Sequence, residues 1–398
     1  MTALRILFAS NGHGEDDISC KVLDALAASG VPFEPEAWAM VGEGRAYTAR
    51  GVPLVGPQQR LPGEGFGTIS IAALWRDLRA GYVGSLWAQA RFARSLRGRH
   101  DLIFGTGDIM PLLAGWFSGT PMLFIPSAKS AYYGGADGHT GIERWLMRRV
   151  ARDSFPRDPR TADGLAAQGV PVRYLGNPMM DGLDPVSPES LRGRGVTVAM
   201  MAGSRRDAVE NAVLLLDAAA TAAAADEEPS RFTFLFAAHE ALDFQRVAAT
   251  APIAWERGQW DRPLDDRGEA MCLRHRTGAA ALFVKGRFAD VLHASDMVAG
   301  MAGTANEQAI GLGLPLVAVP GQGNQGPAYL RMKMRYYGPA AVFAPREPDA
   351  VARAIRDVLS DPVRRREMAA AGRERMGAPG ASAAIAARVA AMLEAGDG

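Results

Sequence analysis

The sequence predicts an α/β fold with two Rossmann-like domains in tandem, separated by a cleft. Short apolar runs without polar alternation, such as residues 4–9, are typical of strands buried on both faces of a parallel sheet. These runs alternate with glycine-containing loops and helical patterns, which indicates right-handed strand–helix–strand crossovers. The same succession restarts at residue 196, after a segment rich in proline and glycine at 176–190.

We therefore expect a first domain over residues 1–180, a second over 191–375, and a C-terminal helix at 376–398 that packs back on the first domain. The predicted strands span residues 4–9, 101–104, 121–126, 196–201, 232–237, 280–284, 297–299 and 316–319. The clearest helices are predicted at about 16–29, 207–225 and 307–312. Residues 257–279, rich in Arg, Asp and Gly, are expected to form a surface excursion.

Composition excludes several classes of protein. A net charge of +1 over 398 residues argues against nucleic-acid binding through a general positive field. Two distant cysteines, Cys20 and Cys272, exclude a disulfide scaffold and suit a reducing compartment, and the six histidines are too scattered for a metal site. Neither a signal peptide nor an apolar run of about 18 residues is evident. We expect a cytoplasmic protein without a bound metal ion or cofactor.

Two loops of the second half have the composition of phosphate-binding turns. Residues 203–206 read Gly-Ser-Arg-Arg between a predicted strand and a predicted helix. Backbone N–H groups, the positive end of the helix dipole and the Arg205 guanidinium would all favour an anion there. An ordinary strand–helix turn with solvated arginines explains this tetrapeptide equally well.

The second loop, at residues 303–308, reads Gly-Thr-Ala-Asn-Glu-Gln and also follows a predicted strand. Its small residues and hydroxyl suit a pyrophosphate, and Glu307 or Gln308, one turn into the helix, suits ribose hydroxyls. A capping box between Thr304 and Glu307 is the alternative, and both interpretations can hold. Ligands of open α/β sheets collect at the carboxyl ends of neighbouring strands, so the two loops together are more informative than either alone.

The matching loop of the first half reads Ser-Asn-Gly-His-Gly-Glu-Asp-Asp over residues 10–17 and lacks a dinucleotide fingerprint. His13 and Glu15 are candidate general bases for a sugar hydroxyl. The alternative is that Asp16 and Asp17 cap the next helix while His13 is a turn residue. The same loop would contribute to the acceptor side through Asn11, Gly12 and Gly14.

Asp108 is a further base candidate because it follows a buried strand and the turn Gly-Thr-Gly at 105–107. Burial at the end of an apolar strand would raise the pKa of this carboxyl toward the working range. The alternative role for Asp108 is to cap the helix that follows.

Residues 66–97 interleave aromatic and aliphatic side chains with five arginines. Such a pattern suits a membrane-surface face or an acyl-chain groove, and we consider peripheral membrane contact through this segment. The alternative is that these apolar residues, at helical spacing, belong to the core.

These loops, in this order, resemble the lipid-A-disaccharide synthase-related family, inverting glycosyltransferases of the twin-Rossmann (GT-B) class. The resemblance is carried by the loop at 10–16, by Leu-Gly-Asn-Pro at 175–178, by Met-Ala-Gly-Ser-Arg at 201–205 and by Gly-Thr-Ala at 303–305. A weaker likeness to the peptidoglycan N-acetylglucosaminyltransferase rests on Gly-Leu-Pro at 313–315. The chain departs from the synthase in its N-terminal loop and at Ala202, where the family has proline.

The resemblance implies a nucleotide-sugar donor site in the second domain. Diphosphate binding is implied for Gly203, Ser204, Arg205, Gly303, Thr304 and Ala305. Glu307 or Gln308 would meet the ribose, because the family's helix glutamate aligns with Gln308. The backbone of Val284, Lys285 and Gly286 would seat the nucleobase, and Asp108 falls close to a proposed catalytic aspartate of the synthase. A homodimer is also implied.

The leading hypothesis is transfer of a sugar from a UDP-sugar, of the UDP-GlcNAc or UDP-hexose type, to a lipid or lipid-linked acceptor at the inner face of the cytoplasmic membrane. The resemblance implies an inverting reaction. We expect it to need no metal ion, since the sequence has no Asp-x-Asp motif to hold one. A UDP-sugar 2-epimerase and a non-catalytic nucleotide-sugar-binding protein are the alternatives.

Overall fold

The computed structural model describes residues 3–58, 82–204, 207–322 and 326–394. The chain divides into two compact units. Unit 1 comprises Met1–Asp181 together with Gly377–Gly398, and unit 2 comprises Gly182–Met376. Each unit is an α/β structure with a largely parallel sheet, so the fold class predicted from the sequence is confirmed.

Within its described residues, unit 1 contains a five-stranded sheet in the order β2-β1-β3-β4-β5, and every neighbouring pair is parallel. The strands are β1 (Leu4–Ser10), β2 (Phe33–Ala39), β3 (Leu102–Thr106), β4 (Met122–Ile125) and β5 (Ala151–Ser154). The edge strands β2 and β5 were not predicted. β2 contains Pro35 and two glutamates, and β5 reads Ala-Arg-Asp-Ser; both patterns are tolerated at an edge, where one side of the strand needs no ladder partner.

Helices cover both faces of this sheet. They are α1 (His13–Ala28), α2 (Arg45–Thr48), α3 (Tyr82–Ser95), α4 (Ile109–Ser118), α5 (Gly141–Val150), α6 (Pro159–Ala167) and the C-terminal α14 (Ala381–Glu394). One apolar core joins the sheet to α1 and α14, through side chains such as Leu23 and Ile385. A second core joins the other face to α3, α4, α5 and α6. The alternation of Ile6 and Leu7 between the two cores explains why β1 is apolar at successive positions.

The described part of unit 2 contains an eight-stranded sheet in the order β13-β12-β11-β6-β7-β10-β9-β8. The strands are β6 (Val196–Met201), β7 (Phe232–Ala238), β8 (Trp255–Gly258), β9 (Ala270–His275), β10 (Ala280–Lys285), β11 (Met297–Gly300), β12 (Leu316–Ala318) and β13 (Ala341–Phe343). The expectation of a surface excursion at 257–279 is wrong for β8 and β9. They form an antiparallel hairpin that extends the sheet beyond β10, and only the residues between them loop out.

The helices of unit 2 are α7 (Ala208–Ala224), α8 (Phe244–Thr250), α9 (Phe288–Ala294), α10 (Thr304–Gly311), α11 (Pro327–Tyr337), α12 (Pro348–Ser360) and α13 (Pro362–Met376). The alanine-rich α7 packs closely against the sheet and α12, because small side chains allow the backbones to approach. Stacked aromatic rings of Phe236 and Phe283, with centroids 4.0 Å apart, fill the centre of this core.

Asp181 attaches the C-terminal segment to unit 1. Its carboxylate accepts hydrogen bonds from the backbone N–H groups of Gly380 and Ser382, at 2.5 and 2.7 Å, just before and within the first turn of α14. These donors have no partner inside the helix, so a carboxylate there satisfies them and complements the helix dipole. The segment 377–394 is thereby fixed against α1 although it follows the whole of unit 2 in sequence.

Asp290 attaches the start of unit 2 to helix α9 of the same unit. One carboxylate oxygen accepts from the N–H groups of Val186 and Ser187, at 2.6 and 3.0 Å. The other accepts from Arg267 at 2.8 Å and from Arg287 at 3.1 Å. Burial alone would raise the pKa of Asp290, but these donors hold it below its ordinary value.

We predict that Asp290→Ala lowers the free energy of unfolding by about 3 kcal/mol, because it removes the closer and more buried of the two carboxylates that pair with the buried Arg287 guanidinium. Asp290→Asn should cost less, since an amide oxygen still accepts from the two backbone N–H groups. Urea unfolding of the full chain measures both values. Asp357→Ala, at an exposed position of α12, is the matched control and should change stability by no more than about 0.5 kcal/mol. Equal stability of Asp290→Ala and the control would contradict the prediction.

Candidate functional site

The carboxyl ends of β1 and β3 bring two predicted loops of unit 1 together. β1 and β3 are paired with Ser10 opposite Thr106, so the residues after each strand emerge at the same edge. The Asn11 side-chain oxygen accepts from the backbone N–H of Asp108 at 3.4 Å. Gly107, with φ of 138°, lies directly against this amide, and any side chain there would overlap it. Glycine at 107 is therefore required for the close approach of the two loops.

Helix α1 begins at His13, earlier than the predicted start at about residue 16. Its N-cap is Gly12, and no side chain caps it, so the interpretation of Asp16 and Asp17 as helix caps is wrong. His13 is exposed, and its ring lies against Gly42, in the loop after β2. Gly14 and Glu15 follow in the first turn, and Glu15 also contacts the Gly107 position. The predicted residues of this loop therefore lie at the carboxyl end of β1, near Asp108.

Asp16 is buried at the end of β1 in a hydroxyl cluster that the sequence did not indicate. Ser10 donates its hydroxyl hydrogen to Asp16 Oδ1 at 2.5 Å, and Ser10 Oγ lies 2.9 Å from the Tyr47 hydroxyl. Because the Ser10 hydrogen is already committed, Tyr47 is the donor in the second bond. Among the described residues no donor reaches Asp16 Oδ2. Burial accordingly raises the pKa of Asp16 to about 6.

Asp108 caps α4, because its Oδ1 accepts from the N–H of Met110 at 2.9 Å. This alternative role is thus observed, and it does not exclude the predicted role as a base. Burial raises the pKa of the Asp108 carboxyl, the Glu143 carboxylate adds to the rise, and the Lys129 ammonium opposes it. A carboxyl with a raised pKa is better suited to accept a proton near neutral pH.

The half-buried Lys129 and the buried Glu143 form an ion pair near Asp108 that sequence reasoning missed. Lys129 Nζ lies 2.7 Å from Glu143 Oε2, and the same oxygen accepts from the backbone and hydroxyl of Thr140. Lys129 belongs to the loop after β4, the strand next to β3. Its position after a predicted strand was a signal, since the loops after the neighbouring strands β1 and β3 had both been singled out.

In unit 2 the two predicted donor loops lie side by side. β6 and β11 are paired in parallel with Met201 opposite Gly300, and the N–H of Met301 continues the ladder to the Met201 carbonyl at 2.9 Å. Gly203 and Ser204 follow β6, and Gly303 and Thr304 follow β11. Gly203 has φ of 86°, and Gly303 has open space where a Cβ would stand. Arg205 lies outside the described residues.

Helix α10 begins at Thr304, three residues before the predicted start at 307. Its N-cap is Gly303 and no side chain caps it, so the capping box between Thr304 and Glu307 is not formed. Ala305 is half-buried in the first turn, where N–H groups lack partners inside the helix. The free N-terminal turn therefore remains available to an anion.

The structure distinguishes the environments of the two candidate ribose ligands. The Glu307 carboxylate is buried, and Lys333 of α11 pairs with it at 2.5 Å. Gln308 is half-buried, one position further along α10. The hundred-degree step between successive helical positions gives the two side chains different neighbours. Gln308 is consequently the more accessible of the pair.

Val284, Lys285 and Gly286 end β10, which is separated from β6 by β7 but opens at the same edge. The Val284 side chain is buried in the sheet, and Lys285 pairs with Glu269 at 2.7 Å and lies over the Phe244 ring. Gly286 is exposed, with φ of 67°. Only the backbone at 284–286 is thus oriented for contact at this edge.

Arg346 is a further residue of this edge that the sequence did not single out. It follows β13, and its guanidinium donates to Asn211 Oδ1 at 2.7 Å. Asn211 in turn donates to the Ala202 carbonyl at 2.9 Å, immediately before Gly203. Arg346 therefore supports the first donor loop through Asn211 and adds positive charge beside it.

Two grooves of the described residues lie elsewhere. A charged groove of about 680 Å³ lies at the amino ends of β6 and β7, opposite the edge with the predicted loops. An apolar groove of about 540 Å³ lies in unit 1 between α3 and α4. Its lining residues are Trp38, Met40, Trp87, Gln89, Ala90, Ala93, Arg94, Met110, Leu113, Ala114 and Phe117. Met110 places one end of this groove beside Asp108.

No helix in the described ranges is long and apolar enough to span a membrane. Of the predicted membrane segment 66–97, residues 66–81 lie outside the described part of the chain, and α3 covers most of the remainder. The described ranges also hold no group of three or more His, Cys, Asp or Glu side chains placed to bind a metal ion.

Neither a protein-family model nor a curated protein matches the chain. Among solved structures it is similar to MurG from Acinetobacter baumannii, with 16% identity, a TM-score of 0.58, and coverage of 98% of this chain and 100% of that chain. It is also similar to the calicheamicin glycosyltransferase CalG4, with 15% identity, a TM-score of 0.59 and coverage of 99% and 98%.

A UDP-GlcNAc 2-epimerase from Neisseria meningitidis, bound to UDP-GlcNAc, is 12% identical, with a TM-score of 0.54 and coverage of 98% and 100%. Glycosyltransferases and epimerases thus match the chain over nearly its whole length. At these identities the likeness establishes the fold, two Rossmann-like domains as in the GT-B class.

We predict that Asp16→Asn stabilises the fold, and increasingly so as the pH rises. Because the folded pKa of about 6 exceeds the unfolded one, the stabilising neutral form is fully present below about pH 4 and is lost as the pH rises through 6. Because folding raises the pKa of Asp16, the ionised carboxyl lowers the free energy of unfolding by about 3 kcal/mol at pH 7 and above. Urea unfolding of wild type and variant at pH 4.5 and 7.5 measures this difference. Asp163→Asn, exposed on α6, should show no such trend, and a pH-independent effect of Asp16→Asn would refute the assignment.

Proposed function

We propose that this protein is a glycosyltransferase that moves a sugar from a UDP-sugar, of the UDP-GlcNAc or UDP-hexose type, to a lipid or lipid-linked acceptor. The observation that carries the proposal is the pair of loops after β6 and β11. Two parallel, directly bonded strands present small residues and hydroxyls at one edge, and an uncapped helix begins at the second loop. This arrangement suits a diphosphate, whose charge favours free N–H groups at a helix N-terminus.

We assign the following residues to binding of the sugar donor. Gly203 and Gly303 allow the backbone to approach the diphosphate, while Ser204 and Thr304 offer hydroxyls and Arg205 a guanidinium. Positive potential at this position stabilises the nucleotide as it leaves the anomeric carbon. Gln308 is the preferred ribose ligand because its side chain is less buried than that of Glu307. The nucleobase would lie against the backbone of 284–286.

The acceptor hydroxyl attacks the anomeric carbon as its proton passes to a carboxylate or imidazole of unit 1. Asp108 is our first choice for this base, since its pKa is raised by burial and it lies at a sheet edge among polar loops. Glu15 and His13 are the alternatives on the neighbouring loop. One attack from the face opposite the leaving group gives an inverted product, and the sequence offers no Asp-x-Asp motif to hold a metal ion.

The apolar groove between α3 and α4 supports a lipid-linked acceptor. One end lies at Met110, which donates its N–H to Asp108, so an apolar chain in the groove would carry a hydroxyl near the proposed base. The lining is almost entirely aliphatic and aromatic. A hydrophobic groove of several hundred Å³ is typical of a small-molecule or acyl-chain site.

A UDP-sugar 2-epimerase is the second candidate. The chain is about as similar to the epimerase as to the two glycosyltransferases, with TM-scores of 0.54, 0.58 and 0.59. An epimerase would use the carboxyls as acid and base on the sugar itself and would need no acceptor groove.

UDP binding should depend on the two donor loops. We predict that Arg205→Gln and Thr304→Val each raise the dissociation constant for UDP by about ten-fold, because each removes a donor to a charged phosphate. Isothermal titration calorimetry measures the constants. The matched controls are Arg364→Gln and Thr221→Val, at exposed positions of unit 2, which should bind as wild type does. Failure of the wild-type protein to bind UDP would contradict the assignment of these loops to a UDP-sugar.

Asp108→Asn separates catalysis from binding. An asparagine still caps α4, so the fold should persist, yet it cannot accept the proton. We expect turnover to fall by about 100-fold or more with the UDP dissociation constant unchanged. UDP release is followed with UDP-GlcNAc and a panel of lipid acceptors.

The same assay with UDP-GlcNAc alone distinguishes the two candidates by nuclear magnetic resonance. Appearance of the 2-epimer without acceptor would favour the epimerase, and acceptor-dependent UDP release would favour the transferase. Full activity of Asp108→Asn would contradict the assignment of Asp108 as the base and would favour Glu15 or His13.

A further inference from the structure

Three helices that form one layer of unit 1 each expose a tryptophan side chain. Helices α3, α4 and α5 cover the same face of the sheet, and α4 contacts both α3 and α5. Trp87 of α3 is 70% exposed, Trp116 of α4 is 38% exposed, and Trp145 of α5 is 46% exposed. The rings of Trp116 and Trp145 contact each other across the two helices, with centroids 4.8 Å apart.

The exposed positions repeat at helical spacing. On α5, Ile142, Trp145 and Arg149 lie one turn apart on a common stripe, and Ile142 is 65% exposed. On α3, Trp87 and Arg91 are separated by four residues. Each stripe therefore combines a large apolar side chain with an arginine.

The charge of this layer differs strongly from that of the chain. Residues 82–118 contain four arginines (Arg91, Arg94, Arg97 and Arg99), and their two acidic residues, Asp101 and Asp108, lie outside helices α3 and α4. Helix α5 adds three arginines and one glutamate, and that glutamate is buried against Lys129. Arg91, Arg94, Arg148 and Arg149 are exposed. The layer is thus markedly positive in a protein whose net charge is only +1.

We propose that the face formed by Trp87, Trp116, Ile142 and Trp145 with Arg91, Arg94, Arg148 and Arg149 binds the surface of an anionic lipid bilayer. Tryptophan rings favour the boundary between headgroups and acyl chains. Arginines beside them meet the negative surface potential of anionic lipids. A second copy of the chain is a poorer occupant, because two such faces would bring four or more exposed arginines of each copy together.

Nothing in this surface requires sugar transfer. It goes beyond the proposed function, and its test uses neither nucleotide nor acceptor. The residues are also distinct from those assigned to donor binding and proton transfer. Trp87 and Arg94 also line the apolar groove proposed for the acceptor. The variants below leave both residues unchanged, so failure of either proposal leaves the other standing.

Flotation with lipid vesicles tests the surface. Full-length protein is mixed with vesicles of phosphatidylcholine alone or with about one third phosphatidylglycerol, and the partition coefficient is measured. We expect binding to the anionic vesicles, weakened by high salt. Trp116→Ala with Trp145→Ala should lower the partition coefficient about ten-fold through lost apolar burial. Arg148→Gln with Arg149→Gln should lower it about thirty-fold, since each arginine near such a surface contributes about 1 kcal/mol.

Matched controls lie in unit 2. Arg364→Gln with Arg366→Gln removes the same charge from exposed positions of α13, and Ile253→Ala removes a 98% exposed apolar side chain. Both should bind vesicles as wild type does, and thermal unfolding by circular dichroism verifies that every variant is folded. The proposal is overturned if wild type ignores anionic vesicles or if patch and control variants bind equally. Loss of a dimer in the tryptophan variant, seen by sedimentation without vesicles, would instead identify a second copy as the occupant.

Discussion

Parallel pairing of central strands is the constraint on which the rest of this structure depends. When β6 bonds to β11, and β1 to β3, their carboxyl ends must emerge at one edge of each sheet. The buried strands themselves have no free polar side chain to offer a ligand. The side chains that could meet a ligand are therefore found in the loops that follow them. Gly107 lets two of those loops approach each other closely, and Gly203 adopts a backbone conformation that favours glycine, with φ of 86°.

Buried carboxylates fix the positions of segments that the strands do not reach. Asp181 and Asp290 each accept from two successive or nearby backbone N–H groups and so hold the two chain crossings at the ends of unit 2. Hydrogen-bond donors stabilise the negative charge of both carboxylates. Asp16 is different, because one oxygen has a hydroxyl donor and the other has none, so burial dominates and favours the neutral form. The same side-chain type thus stabilises one part of the fold and destabilises another at neutral pH.

The two units expose different kinds of surface. The loops of unit 2 are small and polar, and a network from Arg346 through Asn211 supports one of them. Unit 1 combines polar loops at its sheet edge with an apolar groove and an outward-facing layer of tryptophan and arginine. This division is the basis of our proposal that one unit binds a nucleotide sugar and the other an amphiphilic acceptor.

The sequence by itself determined the central strands and the order of the loops after them, because a strand buried on both faces must be apolar at every position. It missed β2, β5, β8, β9 and β13, which lie at or next to sheet edges, where sequence is less constrained. It also placed the starts of α1 and α10 three residues late, since the N-cap of each helix is a glycine, which has no side chain to signal the start. Only the tertiary structure decided which side chains meet. In unit 2, Lys333 pairs with the buried Glu307, while Gln308 is half-buried. In unit 1, Glu143 and Lys129 act on the pKa of Asp108. Each of these contacts joins residues that are distant in sequence.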